Sequence, residues 1–450
     1  MKPAYFWSKY KILVDKEQIE SWKWFNMKYK NEIVIISIIA ILVLFLKVIN
    51  VFQVENGLGY PFVMFSMIIC FSFITIFIQK DIDKNYKINK LNYQNLNILK
   101  YISAILIVIL HLRPFLNFSN ELDLAFNNIV TRICVPIFFI ITGYFVAKKE
   151  KDNEDYIKSY IKKTIPLYLT WSLLYVPVII VTMIQHLPTI NEYLAKINIA
   201  LPLLVALIIL LLPIVILLAL CYTGVYYHLW YFPAIIFSLL VLKKWKKKFN
   251  IKYLLVISFI LLLFGATETY YGVLPFSVKK LLSYYYNIFF TTRNFLFFGL
   301  FYVVLGYYMG TKEKLYSKYC FVKLVISFFL LTFEAILLHD IDRLDSNILL
   351  SCVPLTYYLF ISAVYITNNI KLKFPFGDYS KYYYLIHPMI IFTISLLFEN
   401  ISNYPYLNIF IVLLITHSIS FLIVKLKSKN KLNINLNKNV KELGKIWKIW

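Results

Sequence analysis

The chain has 450 residues, of which 60% are hydrophobic, with a mean hydropathy of +0.69 and a formal net charge of +24. Apolar runs close to bilayer-crossing length recur throughout, which excludes a soluble globular enzyme and makes this an all-α, polytopic membrane protein. Its lysines fall in short loops between those runs, the positive-inside pattern, so the basic balance speaks for a membrane and against a nucleic-acid partner.

Lys28 and Lys30 place the N-terminus inside. Two accessory spans follow, Ile33 to Ile49 and Pro61 to Ile78, and they lead to a basic linker with Lys80, Lys84, Lys87 and Lys90. The first run starts only after about thirty residues and a second follows it, so a retained span is expected rather than a cleaved signal peptide. The next helix carries Lys100 at its cytoplasmic end and exits near Asn117; Ile129 to Ala147 returns to a lysine cluster at Lys148 and Lys149.

Ile165 to Ile184 then leads outward into a loop over Gln185 to Lys196, and His228 to Leu242 must enter from outside because it ends in Lys243, Lys244, Lys246, Lys247 and Lys248. Parity then makes Ile197 to Leu220 a re-entrant or outer-leaflet segment, with breaks expected at Pro202 and Pro213. Tyr253 to Ala266, Ile288 to Gly310, Val322 to Leu338, Ile348 to Thr367, Tyr382 to Phe398 and Tyr406 to Val424 alternate to the end. The expected bundle thus has about twelve spans, two accessory and ten core, with both termini cytoplasmic. Residues 1–95 form the accessory part, 96–424 the membrane domain and 425–450 a basic tail.

Lys100 and His111 stand eleven positions apart on one apolar helix. At roughly 100° per residue they share a face, with the imidazole about 16 Å deeper than the ammonium. An ionisable group at that depth is costly and is a functional candidate by default. Cys70, Cys134, Cys221, Cys320 and Cys352 lie in or beside apolar segments without metal-ligand spacing, so neither a disulfide framework nor a metal site is expected.

Five landmarks in order carry a family resemblance: the Lys100 to His111 pair; Val135 to Phe145 with Thr142-Gly143; His228-Leu229-Trp230-Tyr231-Phe232-Pro233; Thr292-Arg293-Asn294-Phe295; and Tyr384-Leu385-Ile386-His387-Pro388. Over about Leu96 to Val424 the chain resembles the acyltransferase-3 family of ten-helix bacterial membrane proteins. Two departures stand out: lysine replaces the family's usual arginine at Lys100, losing the bidentate fork but keeping the charge, and Thr142-Gly143 stands where Ser-Gly is usual.

The resemblance implies an O-acyltransferase of the bacterial plasma membrane. It would move acetyl, or another short acyl group, from cytoplasmic acetyl-CoA to a hydroxyl of an envelope or exported polysaccharide, or of its lipid-linked precursor. Glycan-assembly proteins are the expected partners besides membrane lipids, with no metal and no nucleic acid. His111 would be catalytic, as general base or as a transient acyl carrier, and Lys100 would meet coenzyme A phosphate.

Substrate-side roles extend to Arg132, Thr142, Arg293, Glu334, His228 and Trp230. All of these except Thr142 also have a plain structural reading. Arg132 can anchor the outer end of its helix, Glu334 can pair with Arg293, and His228 and Trp230 can belong to an interfacial aromatic belt. His387, one residue before Pro388, can bond its own kinked helix. The same kind of membrane domain also occurs attached to racemase domains, where it resembles an amino-acid transporter, and that is the alternative function.

Overall fold

The computed structural model describes residues 93–197, 201–312, 317, 319–339, 344–365 and 374–446, and the two accessory spans expected before Lys80 lie outside these. The described residues are helical with irregular connections and contain no strand. Helix α1 is Tyr93–Leu112 and α2 is Asn120–Glu150, while α3, Tyr156–Leu174, and α4, Val176–Ile197, are bent by 40° about Tyr175. Then come α5 (Leu201–Leu218), α6 (Tyr231–Trp245), α7 (Ile251–Ala266), α8 (Phe276–Phe289) and α9 (Leu300–Thr311). The last four are α10 (Cys320–Leu337), α11 (Cys352–Tyr365), α12 (Phe376–Leu397) and α13 (Pro405–Ile446).

Four of these helices are long and apolar enough to cross a bilayer, or five if the bent α3–α4 pair forms one span. Shorter apolar helices such as Ile251–Ala266, 16 residues, reach only about 24 Å against a hydrocarbon core of about 30 Å. The described residues are thus all helical, as in an integral membrane protein, and the described spans number fewer than the sequence count.

Three local expectations change. The breaks expected at Pro202 and Pro213 do not form: Pro202 occupies the first turn of α5, where its missing N–H costs nothing, and α5 continues through Pro213. The loop expected over Gln185 to Lys196 is the C-terminal half of α4. The span expected from Ile288 to Gly310 is interrupted instead, because α8 ends at Phe289, Phe290 takes a positive φ of 61°, and helix resumes only at Phe295.

The tightest helix pair is α2 with α9, and glycine explains it. A Cβ on Gly143 would lie 2.1 Å from the Val303 carbonyl oxygen, and one on Gly306 would lie 2.1 Å from that of Ile140. Gly310 extends the seam against Ala147 and Tyr144. Without side chains at these points the backbones meet directly, which is how helices associate where lipid removes the hydrophobic drive.

Glu334 is fully buried on α10, and Arg293 is not its partner. Its carboxylate accepts from the Tyr270 hydroxyl and from the backbone N–H groups of Leu350, at 2.7 Å, and Ser351, at 2.8 Å. Those two amides immediately precede α11, so the carboxylate satisfies donors at a helix start. Glu334→Ala should strand three buried donors and lower stability by about 3 kcal/mol, read as a depressed thermal midpoint of the purified protein. A midpoint equal to wild type would contradict the capping role.

Candidate active site

His111 ends α1 beside two other imidazoles. Its ring stacks on His387 with centroids 5.4 Å apart and an interplanar angle of 21°, and meets Tyr227 edge-on at 4.8 Å. His228 lies 5.9 Å from His387. The His111 ring makes no hydrogen bond to a described residue, and it lines an internal cavity of about 60 Å³ with His228, Arg132, Arg293, Tyr231 and Tyr384.

His387 sits on α12 ahead of Pro388, and its Nδ1 donates to the Tyr383 carbonyl at 2.8 Å. The sequence-level reading of a bond to its own kinked helix therefore describes the Nδ1 side. A carbonyl can only accept, so the proton sits on Nδ1, and buried Nε2 has no partner among the described residues. His228 is buried as well, and neither of its ring nitrogens has a described partner.

The loop that carries His228 is shaped by Gly224, whose φ of +77° and 2.3 Å clearance between an ideal Cβ and the Trp230 nitrogen admit no side chain. Leu229 N–H then returns to the Tyr226 carbonyl at 2.8 Å, and α6 begins at Tyr231. His228 and Trp230 thus sit on a turn folded into the protein, in place of an aromatic belt at the surface. The Tyr384 hydroxyl bonds the His228 carbonyl and locks that turn to α12.

Arg132 and Arg293 both arise from irregular backbone. Pro136 cannot donate to the carbonyl four residues earlier, and the stretch before it is a π segment, Ala125–Val130, followed by a 3-10 turn at Thr131–Ile133. Arg132 reaches Asn347 Oδ1 at 2.9 Å, Ser346 Oγ at 3.0 Å and Asn128 Oδ1 at 3.1 Å. It is an internal group, not a surface anchor.

The Thr292-Arg293-Asn294 landmark forms the interruption between α8 and α9. Thr292 binds buried Glu268 through its N–H at 2.8 Å and its hydroxyl at 2.5 Å, and Asn294 Oδ1 caps the N–H groups of Leu296 and Phe297. With both neighbours tied back, the Arg293 guanidinium lies 5.3 Å from the Trp230 ring centroid and donates to Asn347 Oδ1 at 3.4 Å. Non-helical backbone in a membrane protein is tolerated where it lines a cavity, and Arg293 lines one here.

A second, wider cavity of about 420 Å³ adjoins the first, and Tyr227, Trp230 and Arg293 line both. Thr142 lines neither; its hydroxyl lies 3.4 Å from that of Tyr231, which does line the narrower cavity. Glu334 and Lys100 line neither as well. The Lys100 ammonium sits 5.4 Å from the Phe145 ring centroid, and Lys100 lies two turns inside the start of α1, eleven residues before His111. Among the described residues no cluster of His, Cys, Asp and Glu could hold a metal ion.

Sequence reading brings His111, His228, Trp230, Arg132 and Arg293 to this site and misses Tyr227, Tyr231, Tyr384 and Asn347 as site residues, together with the stacking of His387 on His111. Asn347 is the shared acceptor of both guanidinium groups, and Asp345 accepts from the Asn347 amide in turn. Tyr231 lies inside the His228 to Pro233 landmark and Tyr384 and His387 inside the last one, whereas Tyr227 and Asn347 stand in no landmark.

No solved structure matches the chain. It is 29% identical over 290 residues to a protein named amino-acid racemase from Enterococcus faecalis, covering 63% of this chain and 36% of that one. It is 26% identical over 342 residues to a serine/alanine racemase from Enterococcus gallinarum, covering 73% and 45%. The chain therefore spans less than half the length of these relatives. A family model described as an acyltransferase domain matches residues 93–425, from the start of α1 into α13. The chain belongs to the acyltransferase-3 family.

Proposed function

We propose that this protein is an integral membrane O-acyltransferase that takes an acetyl or other short acyl group from cytoplasmic acyl-CoA and passes it to a hydroxyl of a cell-envelope glycan or its lipid-linked precursor. The observation that carries the reading is His111: an imidazole without a described hydrogen bond, facing a cavity shared with two guanidinium groups. Family membership supports acyl transfer as the reaction class.

In this mechanism a neutral His111 nitrogen accepts the proton of the acceptor hydroxyl while the oxygen attacks the thioester carbonyl. Arg132, fixed by three side-chain acceptors, supplies positive charge where the carbonyl oxygen becomes negative. The C–S bond breaks as the ester forms, and the imidazolium returns its proton to the coenzyme A thiolate. The alternative first step, attack by His111 itself to give an acyl-imidazole, ends in the same ester.

Lys100 stands two turns into α1, eleven residues before His111 and about 16 Å from it along the axis, a span that a coenzyme A arm can bridge. Lys100→Gln should raise the KM for acyl-CoA by about tenfold, the worth of one partly exposed phosphate contact, with kcat nearly unchanged. The test is thiol release by purified protein in lipid, run with crude envelope glycan as acceptor. A wild-type protein that is folded and turns over no acyl-CoA would sink the transferase reading.

A second reading, passage of an amino acid or similar small molecule, draws on the likeness to part of one protein named amino-acid racemase and of another named serine/alanine racemase, whose names specify amino acids as the molecules handled. It predicts saturable flux into proteoliposomes in the absence of acyl-CoA, and no thiol release.

A further inference from the structure

The wider cavity is asymmetric in charge. Among the described residues, Arg293 is the only charged one that lines it, and the other polar groups there are neutral: Thr182, Thr223, Thr291 and the ring hydroxyls of Tyr226 and Tyr227. Neither tyrosine hydroxyl bonds a described residue, while the Tyr226 ring is braced by stacking on Tyr175 at 4.8 Å. Trp230 contributes a further aromatic wall.

Arg293 lies within ion-pair distance of no carboxylate among the described residues. Its contacts are a long bond to Asn347, at 3.4 Å, and the face of Trp230. Asp345 reaches it only through the Asn347 amide. Glu268 bonds the residue next to Arg293, yet its carboxylate is turned to the Thr291 and Thr292 hydroxyls and the Thr292 N–H. A half-buried guanidinium at the junction of two cavities thus keeps donors for a bidentate acceptor, and a charge withdrawn this far from solvent calls for a counter-charge.

We infer that the wider cavity binds a hydroxyl-rich molecule bearing an oxyanion, with the anion on Arg293, the ring against Tyr226, Tyr227 and Trp230, and the hydroxyls among the threonines and tyrosines. About 420 Å³ is in the range of small-ligand pockets. Identifying that molecule as the acyl acceptor rests on the transferase reading; the existence of the anion site does not. The oxyanion is either a sugar carboxylate or a sugar phosphate, and the two are separated by the probes below.

The test is direct binding to the purified protein in detergent without acyl-CoA, using D-glucuronate, glucose 1-phosphate and methyl glucoside. At least one anionic probe should bind ten times or more tighter than the neutral glucoside, and its affinity should fall with added salt. Arg293→Gln should remove that preference, and Arg293→Lys should keep part of it. Should Arg293→Gln fail to fold, Met183→Trp provides the second variant: Met183 lines the same cavity from an exposed position on α4, and indole there should block every probe.

Glucuronate alone binding points to an acidic sugar residue, and glucose 1-phosphate alone to a phosphorylated carrier. Equal affinities for glucoside and anions, retention of the preference in Arg293→Gln, no binding by any probe, or unaltered binding in Met183→Trp each overturns the site. Anion binding by a protein that releases no thiol from acyl-CoA would leave the site standing while the transferase reading falls.

Discussion

Substituting His111 by alanine is expected to lower acyl-CoA-dependent thiol release by about 10²- to 10⁴-fold, the usual worth of a positioned general base, while leaving the protein folded. The two halves of that expectation have separate origins. The imidazole makes no hydrogen bond to a described residue, so its removal orphans no buried donor or acceptor. What is lost is stacking on His387 and an edge contact with Tyr227, at centroid distances of 5.4 and 4.8 Å, worth about 1 kcal/mol by analogy with aromatic pairs.

The measurement pairs thiol release in lipid with the thermal midpoint of the same preparation. Release within tenfold of wild type at an unchanged midpoint would remove His111 from the chemistry. Incubation with labelled acyl-CoA and no acceptor separates the two first steps: label that stays with wild type and is absent from His111→Ala indicates an acyl-imidazole, whereas general-base chemistry leaves no labelled protein.

Some parts of this site were legible in the sequence because they depend on local spacing. Lys100 and His111 occur on one uninterrupted helix because nothing between them breaks it, and their separation follows from helical pitch alone. His228 to Pro233 signals a helix start, with proline confined to the first turn of α6. Thr292-Arg293-Asn294 announces a special segment, yet the apolar residues on both sides made it read as the interior of a span. The stop lies in Phe290, an aromatic residue at positive φ, a conformation that no composition rule assigns to phenylalanine.

What was not legible depends on distant parts of the chain. Arg293 and Glu334 were the obvious ion pair by cost, since each is expensive alone in a membrane. Glu334 instead meets Tyr270 and two amides at the start of α11, and a sequence cannot disclose which carboxylate finds a helix end first. Asn347 joins the two arginines without any motif around it. The proline breaks expected in α5 failed for a simpler reason: Pro202 falls in the first turn, where no intrahelical donor is missed, and helix continues past Pro213 on both sides.

The largest effect on folding is expected at Gly306, where even alanine should prevent recovery of a monodisperse protein. Gly306 and Gly310 form a small-xxx-small face that went unread among only 11 glycines in the chain. A Cβ at Gly306 would stand 2.1 Å from the Ile140 carbonyl oxygen and 2.8 Å from the Ile140 Cα, both backbone atoms that no rotamer change can move aside. Separation to ordinary contact, about 3.5 Å, must displace α9 from α2 by more than 1 Å.

That displacement reaches the site, because α2 carries Arg132 in its irregular first half, and the π segment containing Phe298, a wall of the narrower cavity, leads directly into α9. Gly306→Ala should therefore cost more than about 4 kcal/mol, in the range of severe core disruption. Size-exclusion profiles of detergent extracts provide the readout, with Gly299→Ala as comparison, since a Cβ there meets only side-chain atoms at 3.2 to 3.3 Å. Loss of the monodisperse peak in Gly306→Ala with its retention in Gly299→Ala ties the fold to the α2–α9 seam; equal recovery of both would show that the helices can part without consequence and that their close approach does not hold the site together.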